Sequence, residues 1–289
     1  MDTLFRCIEY EGFAYAYRLY QQGRPNCILI LGGALQTMDA WKRFVTGYGE
    51  YFDVLVCDLP GMGHSDVLPS SYSFDFLADC IAHLLDHVEV ESVCIQSASY
   101  GTPIAYVFAE RFPKRVLRVL MMGTMDCIPP ELVDDTLLSI NLVEARDLAA
   151  AADVFVRMFT CPDRIDTIIN GRLAQSLLKR SVLKMNDRMG KNYVENTRRL
   201  LDASITYANA HDLPFLISTG EFDRYTQPAR CLAVARQLPN AQFTLIERSD
   251  HLVHLENYET CWQLCLNYFL DRDISTIPGC HSYSRLSTC

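Results

Sequence analysis

The chain has 289 residues, of which 49% are hydrophobic and 21% are charged, and this is enough for one large domain with a full core. The formal net charge of −9 argues against nucleic acid as a general partner, because phosphate binding needs a basic surface. No apolar run approaches the roughly 18 residues that cross a bilayer, and the N-terminal sequence MDTLFRCIEYEG predicts neither a signal peptide nor a membrane span.

Strand and helix signals alternate along most of the chain. Residues 5–10 and 14–19 alternate polar and apolar side chains around a Glu11-Gly12 turn, which predicts an antiparallel hairpin. The later strand candidates are continuous apolar runs, as expected for a parallel sheet that is buried on both faces. They lie at 27–31, 54–57, 92–95, 116–122, 215–218 and 243–246. Helical periodicity occurs at 73–88, 102–112, 227–238 and 256–270. The pattern predicts an α/β fold with a mostly parallel central sheet and helices on both faces.

The strand signals stop between residues 124 and 208, where one helical stretch follows another. A helical insertion within an α/β alternation predicts a lid over the ends of the strands. We therefore expect a first core part at 1–123, a helical lid at 124–208, a second core part at 209–270 and a tail at 271–289. Within the tail, residues 275–284 are expected to be loose.

The stretch Ser97-Ala98-Ser99-Tyr100-Gly101 lies between a strand-like and a helix-like run and nearly spells G-x-S-x-G. That motif places a serine on a strained turn, so that its hydroxyl stands clear of the sheet. The residues two before and two after the serine must be small, a demand that Gly101 meets and that Ser97 meets less well. The start of the next helix also favours negative charge developing at Ser99. The alternative is that Ser97 and Ser99 only cap the helix.

A nucleophilic serine needs a base and an acid that orients the base. The strand at 215–218 runs into a loop with Asp223, and the strand at 243–246 runs into a loop with His251. In open α/β sheets, such sites lie at the carboxyl ends of the strands. Ser99, Asp223 and His251 are therefore the predicted nucleophile, acid and base.

Other residues compete for these roles. Glu221 and Asp250 are alternative acids in the same two loops, and Asp126, after the strand ending at Met122, is a more distant alternative. His254 is expected on the helix that follows His251, where it has a structural or pocket-lining role.

The turn Gly32-Gly33-Ala34-Leu35 follows the strand at 27–31. Glycines let the backbone turn its amides inward, so we expect the N–H groups of Ala34 and Tyr100 to form an oxyanion hole. Taken alone, the two glycines are equally consistent with a plain turn.

Five segments carry a family resemblance: LGGALQTMDAW, FDVLVCDLPGMGHS, SASYG, GEFDRYT and SDHLVHLE. They resemble the α/β-hydrolase superfamily along almost the whole chain. Within it, the small-Ala-Ser-aromatic-Gly elbow and the acidic-x-Asp-x-Tyr-Thr loop are most similar to two related kinds of enzyme. These are the rhamnolipid-precursor (3-(3-hydroxyalkanoyloxy)alkanoate) synthases and the 3-hydroxyacyl carrier-protein transacylases. Gly32, Tyr100 and Thr102 depart from that group, which often has asparagine, tryptophan and glycine there.

The resemblance implies an α/β-hydrolase fold with a lid insertion and a triad of Ser99, Asp223 and His251. Enzymes of the similar group move 3-hydroxyacyl groups from thioesters to hydroxyl or thiol acceptors. The resemblance thus implies a small acyl substrate, linked to an acyl carrier protein or to coenzyme A. The residues expected to line its pocket are Gly33, Leu35, Tyr225 and His254.

The lid contains a basic segment between Arg172 and Arg199, with eight basic and two acidic residues. Arg180, Lys184 and Arg188 recur every four residues, which predicts a stripe on one helix face. Such a stripe would attract an acidic carrier protein or the phosphates of coenzyme A. The alternative is a solvated helix face. Apolar residues in the segment either line an acyl pocket or bury the lid on the core: Leu173, Leu177, Leu178, Val182, Leu183, Met185 and Met189.

Twelve cysteines without a secretory signal predict free thiols in a reducing, cytoplasmic environment. Cys27, Cys57 and Cys94 lie in strand-like runs and are expected to be small core residues. Cys261 and Cys265 lie in a helical pattern, and no C-x-x-C pair with partner histidines occurs, so neither a metal site nor a cofactor is expected. No oligomeric state follows from the sequence.

These features predict a serine enzyme that forms an acyl-enzyme and passes the acyl group to water or to a hydroxyl acceptor. The first hypothesis is an acyltransferase or thioesterase that acts on carrier-linked or coenzyme A-linked acyl chains in lipid or polyketide biosynthesis. The alternatives are an ordinary carboxylesterase or lipase-like hydrolase and a non-catalytic member of the fold.

Overall fold

The computed structural model describes residues 4–209 and 211–283. Within them the strands form one sheet in the order β1-β2-β4-β3-β5-β6-β7-β8-β9. The strands are β1 (Arg6–Tyr10), β2 (Phe13–Tyr20), β3 (Cys27–Leu31), β4 (Asp53–Asp58), β5 (Val93–Ala98), β6 (Val116–Met122), β7 (Phe215–Gly220), β8 (Ala241–Ile246) and β9 (Cys280–Tyr283).

The sheet is parallel in its centre and antiparallel at its edges. Strands β4, β3, β5, β6, β7 and β8 pair in parallel, and β3 and β7 are buried along their whole lengths. Hairpin β1–β2 turns at Glu11-Gly12 and adds an antiparallel edge through β2 and β4. A central strand that is covered on both faces has no polar side to show, which explains the continuous apolar runs.

Helices cover both faces of the sheet. Apart from those between β6 and β7, the helices are α1 (Lys42–Tyr48), α2 (Phe74–His87), α3 (Gly101–Arg111), α8 (Pro228–Gln237), α9 (Val253–Glu256) and α10 (Tyr258–Phe269). In one core α2, α3 and α8 pack against one face of the sheet, and in a second core α1 and α10 pack against the other. The predicted α/β fold, with a mostly parallel sheet and helices on both faces, is confirmed. The expected core thiols Cys27, Cys57 and Cys94 are buried and free.

Between β6 and β7, in the stretch where a lid is predicted, the described residues form four α-helices. They are α4 (Val133–Glu144), α5 (Leu148–Phe159), α6 (Gly171–Leu183) and α7 (Asp187–Asp202). These helices, which we call the insertion, share a small core of their own in which Phe155, Val182 and Tyr193 are buried. The domain boundaries at 124 and 208 stay a prediction.

The expectation of a loose tail is wrong for the part of the tail that the structure describes. Strand β9 pairs antiparallel with β8, and Ile274 and Ile277 are buried in the second core. The edge of β8 leaves backbone groups unpaired, and β9 satisfies them. Residues 284–289, the end of the predicted tail, lie outside the described residues.

Two absences hold for residues 4–209 and 211–283. No helix there is both long enough and apolar enough to cross a membrane. In the same residues no cluster of three or more histidine, cysteine, aspartate or glutamate side chains is arranged to hold a metal ion.

The packing of the C-terminal segment can be tested by mutation. Ile277→Ala should lower the free energy of unfolding by about 2–4 kcal/mol, because it deletes a buried side chain and leaves a cavity. Thr276→Ala, at the exposed neighbouring position, is the control and should change it by no more than about 0.5 kcal/mol. Urea denaturation followed by circular dichroism measures both values. Equal effects for the two variants would contradict the packing of this segment.

Candidate active site

Ser99 lies between β5 and α3 with a φ of +48°, in the left-handed region that non-glycine residues rarely adopt. Backbone bonds hold this conformation. The N–H of Ser99 donates to Met122 O over 2.8 Å, and its carbonyl accepts from the N–H and the hydroxyl of Thr102, both over 2.8 Å. This strained turn is the backbone that the predicted nucleophile requires.

The positions on either side of Ser99 explain why small residues are needed there. A side chain at Gly101 would place its Cβ 2.7 Å from Gly32 O and 2.8 Å from Leu31 O, so the helix can start this close to β3 only with glycine. Ser97 is fully buried, and its hydroxyl donates to Leu120 O in β6 over 3.0 Å. Serine therefore fits in the first small position because its polar atom has a partner.

The structure brings Ser99, His251 and Asp223 together. The Oγ of Ser99 donates to His251 Nε2 over 3.1 Å, and His251 Nδ1 donates to Asp223 Oδ2 over 3.0 Å. Asp223 follows β7 and His251 follows β8, so both side chains come from the carboxyl ends of neighbouring strands. The three residues form one hydrogen-bonded line with the geometry of a nucleophile, a base and an orienting acid.

The carboxylate of Asp223 is buried, but protein groups donate hydrogen bonds to both of its oxygens. Its Oδ1 accepts from the N–H groups of Tyr225 and Thr226 over 2.9 and 2.8 Å. Its Oδ2 accepts from the hydroxyls of Thr219 and Thr226 over 3.0 and 2.5 Å. The two threonine hydroxyls were not predicted from the sequence, although Thr226 belongs to the loop that carries the family resemblance.

Charge and burial act in opposite directions on this pair. Burial alone would raise the pKa of Asp223, but His251 and the bonds from Thr226 outweigh it and leave the pKa below its ordinary value. Burial alone would lower the pKa of His251, but the charge of Asp223 and its hydrogen bond raise it above the ordinary value. The aspartate therefore stays ionised, and it stabilises a proton on the imidazole.

The alternative acids have partners other than the imidazole ring of His251. Asp126 forms an ion pair with Arg230 over 3.4 Å, and Glu221 accepts from the N–H of Arg248 over 2.9 Å. Asp250 accepts from the backbone N–H of His251 over 2.8 Å rather than from its ring. Burial raises the pKa of Asp250 to about 8. Only Asp223, among these candidates, contacts an imidazole nitrogen.

The glycine turn after β3 lies beside Ser99, since a Cβ at Gly33 would be 3.4 Å from Ser99 Cβ. Gln36 closes this turn: its Oε1 accepts from Gly33 N over 2.7 Å, and its own N–H donates to Gly33 O over 3.0 Å. Among the described residues, none accepts a hydrogen bond from the N–H of Ala34 or of Tyr100. Both predicted oxyanion donors are thus available, whereas the N–H of Gly33 is occupied.

Gln36 also links the turn to the helix after His251. Its Nε2 donates to His254 Nε2 over 2.9 Å, and the His254 ring stacks on Trp41 with 5.3 Å between ring centroids. Burial, and next the nearby His251, lower the pKa of His254 to about 4. The neutral ring accepts a hydrogen bond from the Gln36 amide, so His254 supports the turn. No pattern in the sequence predicts this role for Gln36.

A cavity of about 450 Å³ opens over Ser99 and His251. Three of the four predicted pocket residues, Gly33, Leu35 and His254, line it. Tyr225 is not part of the described wall, because its buried ring packs against Phe159 and His251 with centroids 4.6 and 5.4 Å away. Phe159 stacks on His251 with 5.4 Å between ring centroids, a contact that no sequence pattern predicts.

The insertion supplies the apolar wall that faces the core. Leu177, Leu178 and Met189 line the cavity together with Phe159 and Tyr193. The other apolar residues of the basic segment do not: Val182 and Met185 are buried in the core of the insertion, and Leu173 and Leu183 are exposed. The apolar residues therefore divide into three groups: some line the cavity, some form the core of the insertion itself, and two are exposed. That the cavity holds an acyl chain stays a prediction.

The predicted basic stripe on one helix is wrong. Helix α6 ends at Leu183, just before Lys184, and Asn186 caps the start of α7 by accepting a hydrogen bond from Met189 N over 2.9 Å. Arg180 and Arg188 therefore lie on different helices, and Arg188 donates to His64 O over 2.9 Å. Acidic residues from other parts of the insertion also neutralise the segment. The pairs are Arg172–Asp166, Lys179–Asp153 and Arg198–Glu144.

Fold and site together define a class of protein. A family model of the alpha/beta hydrolase fold matches residues 26–258, so the chain belongs to the α/β-hydrolase fold family. A crystal structure of MGS-M2, an alpha/beta hydrolase enzyme from a Medee basin deep-sea metagenome library, superposes with a TM-score of 0.83. It is 20% identical and covers 93% of this chain and 98% of that one.

Curated relatives are similar at low identity. A 2-hydroxy-6-oxononadienedioate/2-hydroxy-6-oxononatrienedioate hydrolase of Paraburkholderia phymatum is 24% identical, over 83% of this chain and 86% of its own. The (R)-3-hydroxydecanoyl-ACP:CoA transacylase of Pseudomonas aeruginosa is 22% identical, over 86% of this chain and 83% of its own. An uncharacterized hydrolase of Saccharomyces cerevisiae is 30% identical, but the match covers only 34% of each chain. Hydrolase-fold relatives imply an enzyme.

The ion pair in the site can be tested without assuming any activity. Asp223→Asn should lower the pKa of His251, because it removes the charge that raises this pKa and leaves the burial that lowers it. Titration of the histidine side chains by NMR measures the shift. Asp126→Asn is the control, since its side chain pairs with Arg230. A larger shift in the control would mean that Asp126 is the partner of His251.

Proposed function

We propose that this protein is a serine enzyme that forms an acyl-enzyme on Ser99. The observation that carries the proposal is the hydrogen-bonded line from Ser99 through His251 to Asp223 at the wall of an apolar cavity. The substrate is an ester or thioester with an apolar acyl chain, and the acyl group passes to water or to a hydroxyl acceptor. Acyl chains linked to a carrier protein or to coenzyme A are the substrates that we favour.

The first half of the reaction forms the acyl-enzyme. His251 Nε2 takes the proton of the Ser99 hydroxyl as Oγ attacks the carbonyl carbon. The carbonyl oxygen becomes an oxyanion and accepts hydrogen bonds from the N–H groups of Ala34 and Tyr100. When the tetrahedral intermediate collapses, the bond to the leaving group breaks, and His251 gives its proton to the departing alkoxide or thiolate.

The second half releases the acyl group by the same steps in reverse. A water molecule or an acceptor alcohol loses its proton to His251 Nε2 and attacks the acyl carbon. The oxyanion forms in the same place, and Ser99 Oγ leaves with the proton from His251. The buried charge of Asp223 stabilises the imidazolium in both halves, which is the role of the acid in such a triad.

The shape of the cavity supports an apolar acyl group. Most of its wall on the side of the insertion is apolar and comes from Phe159, Leu177, Leu178 and Met189, while Ser181 and Tyr193 add two hydroxyl-bearing side chains there. Burial of apolar surface there would stabilise a bound chain by about 0.8 kcal/mol per methylene. The similarity to a transacylase that acts on 3-hydroxydecanoyl groups supports a carrier-linked or coenzyme A-linked acyl donor.

Docking of a carrier protein or of coenzyme A phosphates at Arg180, Lys184 and Arg188 stays a prediction. No ion pair occupies the side chains of Arg180 and Lys184 within the described part of the chain. Both are exposed, so they remain candidates for an acidic partner even though Arg188 lies on the next helix.

The nucleophile can be identified by mass spectrometry. The intact protein should gain the mass of an acyl group after incubation with medium-chain acyl thioesters, and a fluorophosphonate probe should label it. Ser99→Ala should lose both signals, since the Ser99 hydroxyl contacts His251 Nε2 beside the cavity, whereas the Thr226 hydroxyl lies on the Nδ1 side and donates to Asp223. Ser97→Gly is the control and should keep them, because the Ser97 hydroxyl bonds only Leu120 O. Labelling that persists in Ser99→Ala would place the nucleophile elsewhere, and no labelling of the wild type would favour a binding protein.

The fate of the acyl group separates a transferase from a hydrolase. With an acyl thioester and a 3-hydroxy fatty acid as acceptor, we expect a new ester between the two chains, because the apolar wall disfavours water at the acyl carbon. Chromatography with mass detection measures ester and free acid. Free acid as the only product, at every acceptor concentration, would contradict the transferase and leave a thioesterase or carboxylesterase.

A further inference from the structure

Arg199 is a buried arginine whose guanidinium has five N–H groups, and each of them has an acceptor. It lies on α7 in the insertion, and its residue exposure is only 3%. Its Nε donates to Tyr72 O over 2.5 Å. One terminal nitrogen donates to the Tyr100 hydroxyl over 2.5 Å and to Asn196 Oδ1 over 2.8 Å. The other terminal nitrogen donates to Leu68 O over 3.1 Å and to Pro69 O over 2.7 Å. A guanidinium offers five donors in a fixed plane, and here all five are used.

These bonds join three parts of the chain at the residue after Ser99. The carbonyls of Leu68, Pro69 and Tyr72 belong to the loop after β4, Asn196 belongs to α7, and Tyr100 starts α3. The Tyr100 hydroxyl also donates to Asn196 Oδ1 over 3.0 Å, which closes a triangle with Arg199. The ring of Tyr100 is therefore fixed by polar bonds at its tip as well as by packing against Phe74.

The chemistry of this cluster requires arginine. All five acceptors are neutral, so the charge is stabilised by dipoles whose directions match the guanidinium plane. A lysine at this position would offer three donors on a single nitrogen and could not reach all three carbonyls, the hydroxyl and the amide. Burial raises the pKa of the Tyr100 hydroxyl despite Arg199, which keeps this hydroxyl neutral and able to donate to Asn196.

Tyr100 is the residue whose backbone N–H is the second oxyanion donor in the proposed reaction. The N–H lies between the strained Ser99 and the start of α3, and its direction depends on how the Tyr100 side chain and backbone are held. We propose that Arg199 is a positioning residue, which fixes Tyr100 through its hydroxyl and so aims the oxyanion donor from the insertion. This inference rests on the proposed function.

The expected loss of turnover in an Arg199 variant can be estimated from the effect of losing or displacing an oxyanion donor. Loss of an oxyanion donor reduces turnover by about 10² to 10³ fold, and a displacement of about 1 Å can cost about 10² fold. Arg199→Met should therefore lower kcat by about tenfold to 100-fold. KM should change little, because Arg199 does not line the cavity over Ser99. Arg199→Lys should recover only part of the loss.

The test measures kcat and KM for 4-nitrophenyl acetate and 4-nitrophenyl octanoate. Arg198→Met is the matched control, because the neighbouring Arg198 is only half-buried and pairs with Glu144 in the insertion. Near-ultraviolet circular dichroism verifies that each variant keeps its packing. Tyr100→Phe removes the hydroxyl that accepts from Arg199, and it should lower kcat in the same direction. The double variant should lose no more than the larger single effect, since both changes break one link.

The outcomes separate this inference from the proposed function. A fall in kcat for both esters, with KM unchanged and with Arg198→Met like the wild type, supports the positioning role. A kcat like that of the control overturns it, and so does a rise in KM confined to the octanoate, which means that Arg199 only shapes the acyl wall. If Arg199→Met fails to fold, Tyr100→Phe decides alone. A wild type that forms no acyl-enzyme overturns the proposed function and this inference with it.

Discussion

The arrangement of the site depends on one strained residue. The left-handed backbone of Ser99 reverses the chain between β5 and α3 within a single residue, which is possible only because strand and helix come very close at Gly101. That reversal presents the hydroxyl to His251 and brings the next N–H to the side of the glycine turn after β3. Backbone strain of this kind costs about 1–3 kcal/mol, and the bonds to Met122 and Thr102 offset part of it.

A second constraint is the buried negative charge of Asp223, which has to be stabilised before it can act on His251. The loop after β7 does this with two backbone N–H groups and two threonine hydroxyls. Desolvation would otherwise favour the neutral acid, as it does for the buried Asp250 nearby. At Asp223 the charge of His251 and the hydrogen bonds from His251 and Thr226 outweigh desolvation, so its surroundings, rather than burial alone, keep this carboxylate ionised.

The sequence predicts well what local pattern determines. Apolar runs identify the central strands. Ser99, Asp223 and His251 can then be assigned, because each of them follows the carboxyl end of one of these strands. The predictions that are wrong, a loose tail and a basic stripe on one helix, concern features that depend on contacts between distant segments or on a helix cap. Strand β9 has only four residues and is defined by its partner β8, and the helix break at Asn186 is set by a cap within a segment of even basic spacing. The bond of Gln36 to His254 and the bonds of Arg199 to Tyr100 and to the loop after β4 join residues that are far apart in sequence, so no local pattern predicts them.

The hydroxyl of Ser97 has a consequence for how such turns are recognised. Glycine at this position would leave Leu120 O without the bond that it now receives inside the sheet. The turn therefore accommodates serine, because the hydroxyl that serine buries there has an acceptor. A search for related enzymes that demands glycine two residues before the nucleophile would pass over chains built in this way. Such a search should ask instead for any small side chain whose polar atoms find an acceptor on the neighbouring strand.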